Sequence, residues 1–246
     1  MKKYIDFLIR ILLSIKGGSF CMFVDDCPGC NSKRPFVRAG LDNYLIKCLC
    51  CNSSIISLSL ICAINFHKGK VKFKRTYELS FHGAIFSFLK RQSEHFNFSE
   101  YFPLSNDAYV NGVRNEDVQQ LRFDSNSFDL VTCTEVLEHV PDYKKGLKEI
   151  CRVLDRDGYF FFTIPLYDCL ETKQIAKLNK QEKIVWLGIP EFHGSRLNGP
   201  NSVPVFWHHS RVQILQDLKE VGFSEAYIEN IKWHKSEVQS VVVCRK

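Results

Sequence analysis

Apolar and polar positions alternate along residues 75–246 in two different periods. Short apolar runs rich in β-branched and aromatic residues predict strands, and runs with apolar residues three or four positions apart predict helices. The predicted strands are RTYEL (75–79), HFNFSE (95–100), FDLVTC (128–133), YFFFTIP (159–165), AYIENIKW (226–233) and EVQSVVVCR (237–245). The predicted helices are GAIFSFLKR (83–91), DYKKGLKEICRVL (142–154) and SRVQILQDLKEVGF (210–223).

This order of elements predicts an α/β fold. Strands that alternate with helices and are apolar without interruption are typical of a mostly parallel, doubly wound sheet covered on both faces. The last two strands are joined by a short link and are expected to pair with each other. In such sheets ligands bind beyond the carboxyl ends of the strands, and Glu135 and its neighbours are at such an end, after the strand 128–133.

The N-terminal segment MKKYIDFLIRILLSIKGGSFC has a basic start and an apolar middle. Asp6 and Arg10 interrupt the apolar stretch, and it is too short to span a bilayer. We predict an amphipathic helix over residues 1–20 that packs on the protein body. Contact with a membrane surface is the less favoured alternative, and a cytoplasmic location is expected.

Cysteine usage indicates a metal site. The chain has 11 cysteines, an odd number, which favours free thiols and metal ligands over a disulfide framework. Two CxxC pairs, separated by seventeen residues, suit a tetrahedral zinc ion in a zinc-ribbon-like segment over residues 21–70. The predicted ligands of this structural zinc are Cys27, Cys30, Cys48 and Cys51. Cys50 is an alternative ligand in the second pair.

Bulk composition constrains the function only weakly. The 246 residues are 45% hydrophobic and 24% charged, which is ordinary for a globular protein of one α/β domain and a small appendage. A net charge of +6 is compatible with nucleic acid, an anionic membrane surface or acidic small molecules, and does not select among them.

The stretch CTEVLEHVPDYKKG places three chemically active side chains at the end of a buried strand. Glu135, Glu138 and His139 have the spacing i, i+3, i+4, so one helical turn would bring them to the same side. Two carboxylates and an imidazole suit a divalent ion such as Mg²⁺, Mn²⁺ or Zn²⁺. In the alternative without a metal, His139 serves as a general base for a hydroxyl acceptor, or these residues only hold the loop.

The segment FDLVTCTEVLEHVPDYKKGLKEICRVLDRDGYFFFTIP, followed by LKEVGF, resembles the class I S-adenosylmethionine-dependent methyltransferases of the small-molecule type. The resemblance covers roughly residues 75–246 and implies a methyltransferase domain over 71–246. It also implies a seven-stranded Rossmann-like sheet whose last two strands are antiparallel, with S-adenosylmethionine as cofactor.

The resemblance further implies a set of cofactor-binding residues. These are Glu78, Ser80, Gly83, Glu100, Tyr101, Asp117 and Val118. Glu78 stands at the end of the first strand. Glu100 would bind the ribose hydroxyls, and Asp117 would accept a hydrogen bond from the adenine amine. The loop YELSFHGAIF departs from the family because only Gly83 remains of its glycines.

The pattern ExxEH resembles the metal-binding sequence of two methyltransferase groups, the ubiquinone-pathway O-methyltransferases and the small-RNA 2′-O-methyltransferases. In the second group a downstream histidine also contributes. Here His193 is the best candidate, and His208 and His209 are weaker ones.

The residues between the fifth strand and the last large helix, 166–209, are expected to shape the acceptor pocket. Trp186, Phe192 and Trp207 offer flat apolar faces that suit a sugar or an aromatic ring. PEFHG with a later GP loosely resembles methyltransferases that act on saccharides. The favoured function is therefore O-methylation of a small molecule or saccharide hydroxyl.

Two alternatives remain open. The zinc-ribbon-like segment resembles those of rRNA base methyltransferases, and its Lys33, Arg34 and Arg38 could contact phosphates, which would make the acceptor RNA. The glycine-poor loop is also compatible with a catalytically inactive scaffold that only binds the cofactor.

Overall fold

The computed structural model describes residues 20–39, 45–69, 73–195, 197, 199–233 and 237–246. The predicted N-terminal helix lies, except for Phe20, outside the described residues. The chain divides into two compact units. The first unit comprises the described part of 1–72 together with 82–92 and 230–239. The second unit comprises 73–81, 93–229 and 240–246. The predicted domain boundary at residues 70/71 stays a prediction, although residues 82–92 and 230–239 group with the first unit.

The first unit contains an antiparallel sheet in the order β1-β2-β3. Its elements are β1 (Phe20–Cys27), β2 (Ser32–Ala39), β3 (Ile46–Cys48), α1 (Ile55–Lys68) and α2 (Ala84–Gln92). β1 and β2 pair up to Cys27 and Ser32, so the first CxxC pair forms the turn between them. β2 pairs antiparallel with β3, so the residues between the two CxxC pairs include two paired strands.

Helix α1 was not predicted. Its sequence IISLSLICAINFHK is apolar on nearly every side, so it lacks the polar stripe by which an amphipathic helix is recognised. The side chain of Ser54 accepts a hydrogen bond from the Ser57 amide and begins the helix. Leu58, Leu60 and Ile61 are completely buried.

The second unit is built on a sheet in the order β17-β18-β9-β8-β4-β5. Its strands are β4 (Arg75–Glu78), β5 (His95–Phe98), β8 (Phe128–Thr134), β9 (Leu154–Thr163), β17 (Glu225–Trp233) and β18 (Glu237–Arg245). Strands β5, β4, β8 and β9 are parallel, and β18 is antiparallel to β9. Within the described residues the sheet thus has six strands, and the seventh that was predicted is not confirmed. An isolated parallel bridge between Glu100 and Asn115 continues the pairing past the end of β5.

Helices α3 (Tyr143–Val153) and α4 (Arg211–Glu220) begin one residue after their predicted starts. Asp142 and Ser210 are the capping residues, because their side chains accept hydrogen bonds from amides of the first helical turn. The completely buried Leu147, Ile150 and Phe160 belong to the main core cluster of this unit. The sheet and its core give a rigid support to the residues at the strand ends.

The region between β9 and α4 contains short strands that were not predicted. They are β10 (Leu166–Tyr167), β11 (Lys173–Gln174), β12 (Ala176–Leu178), β13 (Ile184–Trp186), β14 (Phe192–Ser195), β15 (Gly199–Pro204) and β16 (Trp207–Ser210), and a further short pair earlier in the chain is β6 (Tyr109–Val110) with β7 (Val113–Arg114). Most are two to four residues long, too short for a visible alternation. Among the described residues no helix is long and apolar enough to cross a membrane.

Candidate functional site

Acidic side chains collect at one edge of the second unit's sheet. Glu78 is the last residue of β4 and is paired with Phe98 of β5 and Thr132 of β8. Because these strands are parallel, their carboxyl ends meet at the same edge. Glu100 is the second residue after β5, and Glu135 directly follows β8. Glu78 is 2% exposed and accepts a hydrogen bond from the hydroxyl of Thr132.

Burial disfavours the charged form of each of these acids. It raises the pKa of Glu78 to about 8, with a further contribution from Glu100. Burial also raises the pKa of Glu100 above its ordinary value. The pKa of Glu135 is raised to about 8 by burial and by the nearby Glu138 carboxylate. The edge is therefore suited to a ligand that brings hydrogen-bond donors or positive charge.

Two other predicted cofactor residues have local roles in the structure. Both carboxylate oxygens of Asp117 accept hydrogen bonds from Gln119. Val118 is 8% exposed and belongs to the core cluster, where it packs beside Gly146. Tyr101, in contrast, is 53% exposed, and its amide donates to the Glu100 carboxylate.

The remaining predicted cofactor residues lie in the loop after β4. Ser80 is half-buried. Gly83 has φ of +101°, a conformation that L side chains rarely adopt. This glycine, which belongs to the first unit, is thus required by its own backbone conformation. A role for any of these residues in cofactor binding stays a prediction.

A second cluster surrounds Glu138, which lies on a short 3₁₀ helix (Leu137–His139) after β8. Glu138 is 1% exposed, and within the described residues neither of its carboxylate oxygens has a hydrogen-bond partner. Its Oε1 lies 3.5 Å from His139 Nε2 and 3.6 Å from His193 Nδ1. The two histidine nitrogens are 3.2 Å apart. Three ligand atoms of different residues therefore converge on one point.

The outer nitrogens of both imidazoles face oxygen atoms. His139 Nδ1 donates to the carbonyl of Pro204 at 2.8 Å, which leaves the Nε2 lone pair directed towards Glu138. His193 Nε2 is 3.5 Å from Glu191 Oε1, and His208 Nε2 is 2.7 Å from the other oxygen of Glu191. Strands β14 and β15 thus supply both His193 and the carbonyl that orients His139.

The spacing of this cluster fits a divalent ion. Ligand atoms about 2.0–2.1 Å from a tetrahedral ion are roughly 3.3–3.4 Å from one another. The observed separations of 3.2, 3.5 and 3.6 Å are close to this value. A buried carboxylate without hydrogen bonds is also the group that a cation would stabilise most.

The predicted helical relation of Glu135 to Glu138 and His139 is wrong. Glu135 has φ of +53°, and the helical turn begins only at Leu137. The group of close metal-ligating atoms therefore comprises Glu138, His139 and His193, without Glu135.

The two weaker histidine candidates do not join this group. His208 is held by Glu191. His209 is completely buried with its ring against Tyr143, and burial lowers its pKa to about 4. A buried neutral imidazole of this kind is a packing residue.

The cysteine cluster of the first unit is tetrahedral in its dimensions. The Sγ atoms of Cys27 and Cys51 are 3.6 Å apart and those of Cys30 and Cys48 are 4.0 Å apart. All four sulfur atoms lie within 4.8 Å of one another. Zinc–sulfur bonds of about 2.3 Å place tetrahedral ligands roughly 3.8 Å apart, which fits these distances. The alternative ligand Cys50 is exposed and outside the cluster.

Thiol acidity differs within the cysteine cluster. Burial raises the pKa of Cys27. Burial acts in the same direction on Cys51, but hydrogen bonds from Ser53 and the neighbouring thiols outweigh it and lower the pKa of Cys51 to about 7. Cys51 therefore offers a thiolate at lower pH than Cys27 does.

Glu191 and the Pro204 carbonyl were missed by sequence reasoning. For Glu191 a signal existed, because it precedes His193 by two positions and residues i and i+2 of an extended segment lie on the same side. A backbone carbonyl carries no sequence signal at all.

Comparison with known proteins relates part of the chain to methyltransferases. Residues 88–162 match the family described as "Methyltransferase domain". The chain is 38% identical over 48 residues to the ubiquinone biosynthesis O-methyltransferase of Coxiella burnetii, a match covering 20% of each protein. It is 47% identical over 58 residues to the demethylmenaquinone methyltransferase of Staphylococcus epidermidis, covering 24% of this chain and 21% of that protein. The matches thus span about a fifth of these curated relatives.

The fold is shared with a solved structure, an S-adenosylmethionine-dependent methyltransferase from Mesorhizobium loti. The TM-score is 0.50 at 15% sequence identity, covering 76% of this chain and 98% of that one. The family match includes β8, α3 and nearly all of β9, the elements that carry and support the Glu138 cluster. Part of the chain thus matches the methyltransferase domain family, and the fold is that of an S-adenosylmethionine-dependent methyltransferase.

Proposed function

We propose that this protein transfers the methyl group of S-adenosylmethionine to a hydroxyl group of a small molecule, with saccharides as one candidate class. The observation that carries this proposal is the convergence of Glu138, His139 and His193 beside the acidic strand ends of a methyltransferase sheet. The cofactor supplies the methyl group, and the described residues supply its binding and the handling of the acceptor proton.

Glu100 is proposed to bind the cofactor's ribose. It follows β5, beside the strand that carries Glu78, so its carboxylate lies at the edge where parallel sheets bind ligands. Two carboxylate oxygens match two vicinal hydroxyls, and donation from those hydroxyls would offset the cost of burying the charge. Tyr101, the next residue and half-exposed, is placed to flank the base.

Glu138, His139 and His193 are proposed to hold a divalent ion. A bound divalent ion lowers the pKa of a coordinated hydroxyl. The chain's contribution is to fix the ligands: Pro204 orients His139, and Glu191 orients His193. Without the ion, His139 Nε2 is the remaining candidate for a general base, since its lone pair faces the interior of the cluster.

Cofactor binding is tested by calorimetry with S-adenosylhomocysteine. Glu100→Ala should weaken binding by about 1–3 kcal/mol through loss of charge-assisted hydrogen bonds. Glu94→Ala, on the exposed loop before β5, is the matched control and should bind as the parent does. Equal affinity of the two variants would remove Glu100 from the cofactor site.

The metal and base alternatives are separated by chelation. If an ion is used, methyl transfer should stop when the second-unit ion is removed and return with Mg²⁺, Mn²⁺ or Zn²⁺. If His139 acts alone, the chelated protein should keep its rate, and the rising limb of the pH–rate profile should disappear in His139→Ala.

The cysteine cluster of the first unit is proposed to bind one structural zinc ion. Four sulfur ligands complete a tetrahedral shell and leave no position for a substrate. The RNA alternative for this unit is less favoured, because the register places Asp25 opposite Arg34 and Asp26 opposite Lys33. These acids offset the positive charge that phosphate binding would need.

A further inference from the structure

Exposed aliphatic side chains are concentrated on one small hairpin of the second unit. The hairpin patch comprises Leu178, Ile184, Val185, Leu187 and Ile189, at 39%, 39%, 37%, 51% and 88% exposure. They occupy a stretch of twelve residues, whereas exposed apolar residues elsewhere in the described second unit, such as Leu104 and Val212, are scattered along the chain. Concentrated apolar exposure of this kind marks an interaction surface.

The hairpin formed by β12 and β13 is uncovered on both faces near its tip. The register pairs Leu178 with Ile184 and Lys177 with Val185. Adjacent pairs of an antiparallel hairpin lie on opposite faces, and all four side chains are exposed. Side chains on both faces of the hairpin are therefore accessible to a partner surface.

The tip of the hairpin has a defined conformation. Asn179 Oδ1 accepts hydrogen bonds from the amides of Gln181 and Lys183 at 2.9 and 3.0 Å. The Asn179 amide donates to the carbonyl of Lys183 at 2.9 Å. The tip is held in one shape by these bonds, so a surface that it contacts meets a preformed element.

Positive charge surrounds the aliphatic residues. Lys177, Lys180 and Lys183 are exposed and, in the part of the chain that the structure describes, form no ion pair. Glu182 is the only acidic residue between Lys177 and Ile189. Aliphatic side chains beside unpaired lysines are the combination that binds the interface of an anionic bilayer.

We propose that the hairpin patch docks on an anionic membrane surface, with its aliphatic side chains at the headgroup boundary and Lys177, Lys180 and Lys183 at the lipid phosphates. A second copy of the chain fits less well, since a symmetric contact would oppose the same lysines of both copies. For the N-terminal segment, membrane contact was the less favoured alternative in the sequence analysis. The hairpin is a separate element and does not depend on the proposed methyl transfer.

The proposal is tested with the full chain and sedimenting vesicles. Vesicles of phosphatidylcholine mixed with phosphatidylglycerol should bind the protein, pure phosphatidylcholine should bind it more weakly, and salt should reduce the difference. The double variant Ile184→Ser, Leu187→Ser should lower partitioning by about tenfold or more through lost apolar burial. Lys180→Glu with Lys183→Glu should lower partitioning onto the anionic vesicles by about tenfold.

Two matched controls make the result specific. Leu104→Ser removes a fully exposed aliphatic residue outside the patch, and Lys148→Glu with Lys219→Glu reverses two exposed charges on α3 and α4. Both should partition as the parent does, and all variants should show the parent's thermal unfolding. The proposal is overturned if the parent does not bind anionic vesicles, if the controls lose as much binding as the patch variants, or if the patch instead mediates dimerisation in light scattering without vesicle binding.

Discussion

The cysteine cluster of the first unit and the Glu138 cluster of the second unit are two groups of metal-ligating atoms built in opposite ways. The cysteine cluster takes all four ligands from two tight turns and closes a tetrahedron with sulfur alone. The Glu138 cluster takes two adjacent residues from a 3₁₀ turn and a third that lies 54 positions further along. It offers three ligands, so the ion proposed for it would keep a fourth position for a substrate or water. Closed sites of the first kind stabilise a fold, and open sites of the second kind carry chemistry.

The two clusters also differ in the size of the hydrophobic core beside them. The cysteine cluster packs against a small core of the first unit that includes Phe36, Ile46 and Leu58. The Glu138 cluster stands on a large core formed by the sheet of the second unit. Metal removal should therefore unfold the first unit and leave the second unit folded but inactive.

The largest effect is expected at the cysteines. Cys48→Ser should abolish binding of the single zinc ion and destabilise the first unit by several kcal/mol, since metal binding to such a site is folding free energy. Cys50→Ser, at an exposed neighbouring position, is the control and should retain the zinc. Metal analysis and amide hydrogen exchange of β1, β2 and β3 measure both results. Zinc lost from Cys50→Ser but kept in Cys48→Ser would reverse the ligand assignment.

Next in size is the effect of Glu138→Gln on methyl transfer. Loss of the central carboxylate should lower the rate by about 100-fold or more and remove the second-unit ion. The zinc of the first unit and the unfolding temperature should stay close to those of the parent. A variant that keeps full activity would show that Glu138 holds neither an ion nor the histidines.

A smaller effect is expected for Glu191, which holds His193 and His208 from outside the cluster. Glu191→Gln should weaken divalent-ion binding by about tenfold, because carboxylates behind ligand histidines orient them and raise their basicity. Direct titration with Mn²⁺ measures this without an activity assay. Glu182→Gln, an exposed acid in the same region, is the control and should leave the affinity unchanged.

The smallest effect concerns pH. The Glu138 carboxylate, whose Oε1 lies 3.6 Å from His193 Nδ1, raises the pKa of His193 above its ordinary value of 6.5. In the ion-free protein the interaction of His193 with Glu138 stabilises the fold by at most about 1 kcal/mol. This stabilisation is complete below the pKa of about 6.5 that a histidine has in the unfolded chain, and it is lost as pH rises through the raised pKa of the folded protein. Ion binding must displace that proton, so affinity should rise with pH over the same range. Thermal unfolding with and without chelator measures both trends. His193→Gln should remove the share due to this pair, while the loss of stability with rising pH that comes from the raised pKa of Glu78 and Glu135 should remain. An ion-free parent that gains stability over this range would contradict the assignment.

The sequence predicted the parts of the molecule that depend on neighbouring residues. Most strands and helices around the sheet appear close to their expected bounds because their periodicity and capping residues are local, whereas β9 begins five residues before its predicted start. The four cysteines of the first unit are close together for the same reason, since each CxxC pair is a single turn.

Features that depend on long-range pairing were harder to predict. The approach of His193 to Glu138 could be suggested only by resemblance, because it rests on the pairing of β14 with β15. The prediction that Glu135 shares a helical side with Glu138 and His139 was wrong because Glu135 has a positive φ. No residue pattern indicated this backbone angle. Helix α1 was missed because a uniformly apolar stretch has no period to detect.

The hydrogen bond from His139 to Pro204 has a consequence for how this site tolerates genetic change. Its acceptor is a main-chain carbonyl, which every residue type provides, so a substitution at position 204 leaves the acceptor in place. A deletion or insertion within β15 itself would shift that carbonyl relative to His193, because the register pairs Val203 with His193. Variation in β15 is therefore expected to be tolerated in residue identity at position 204 and restricted in strand length.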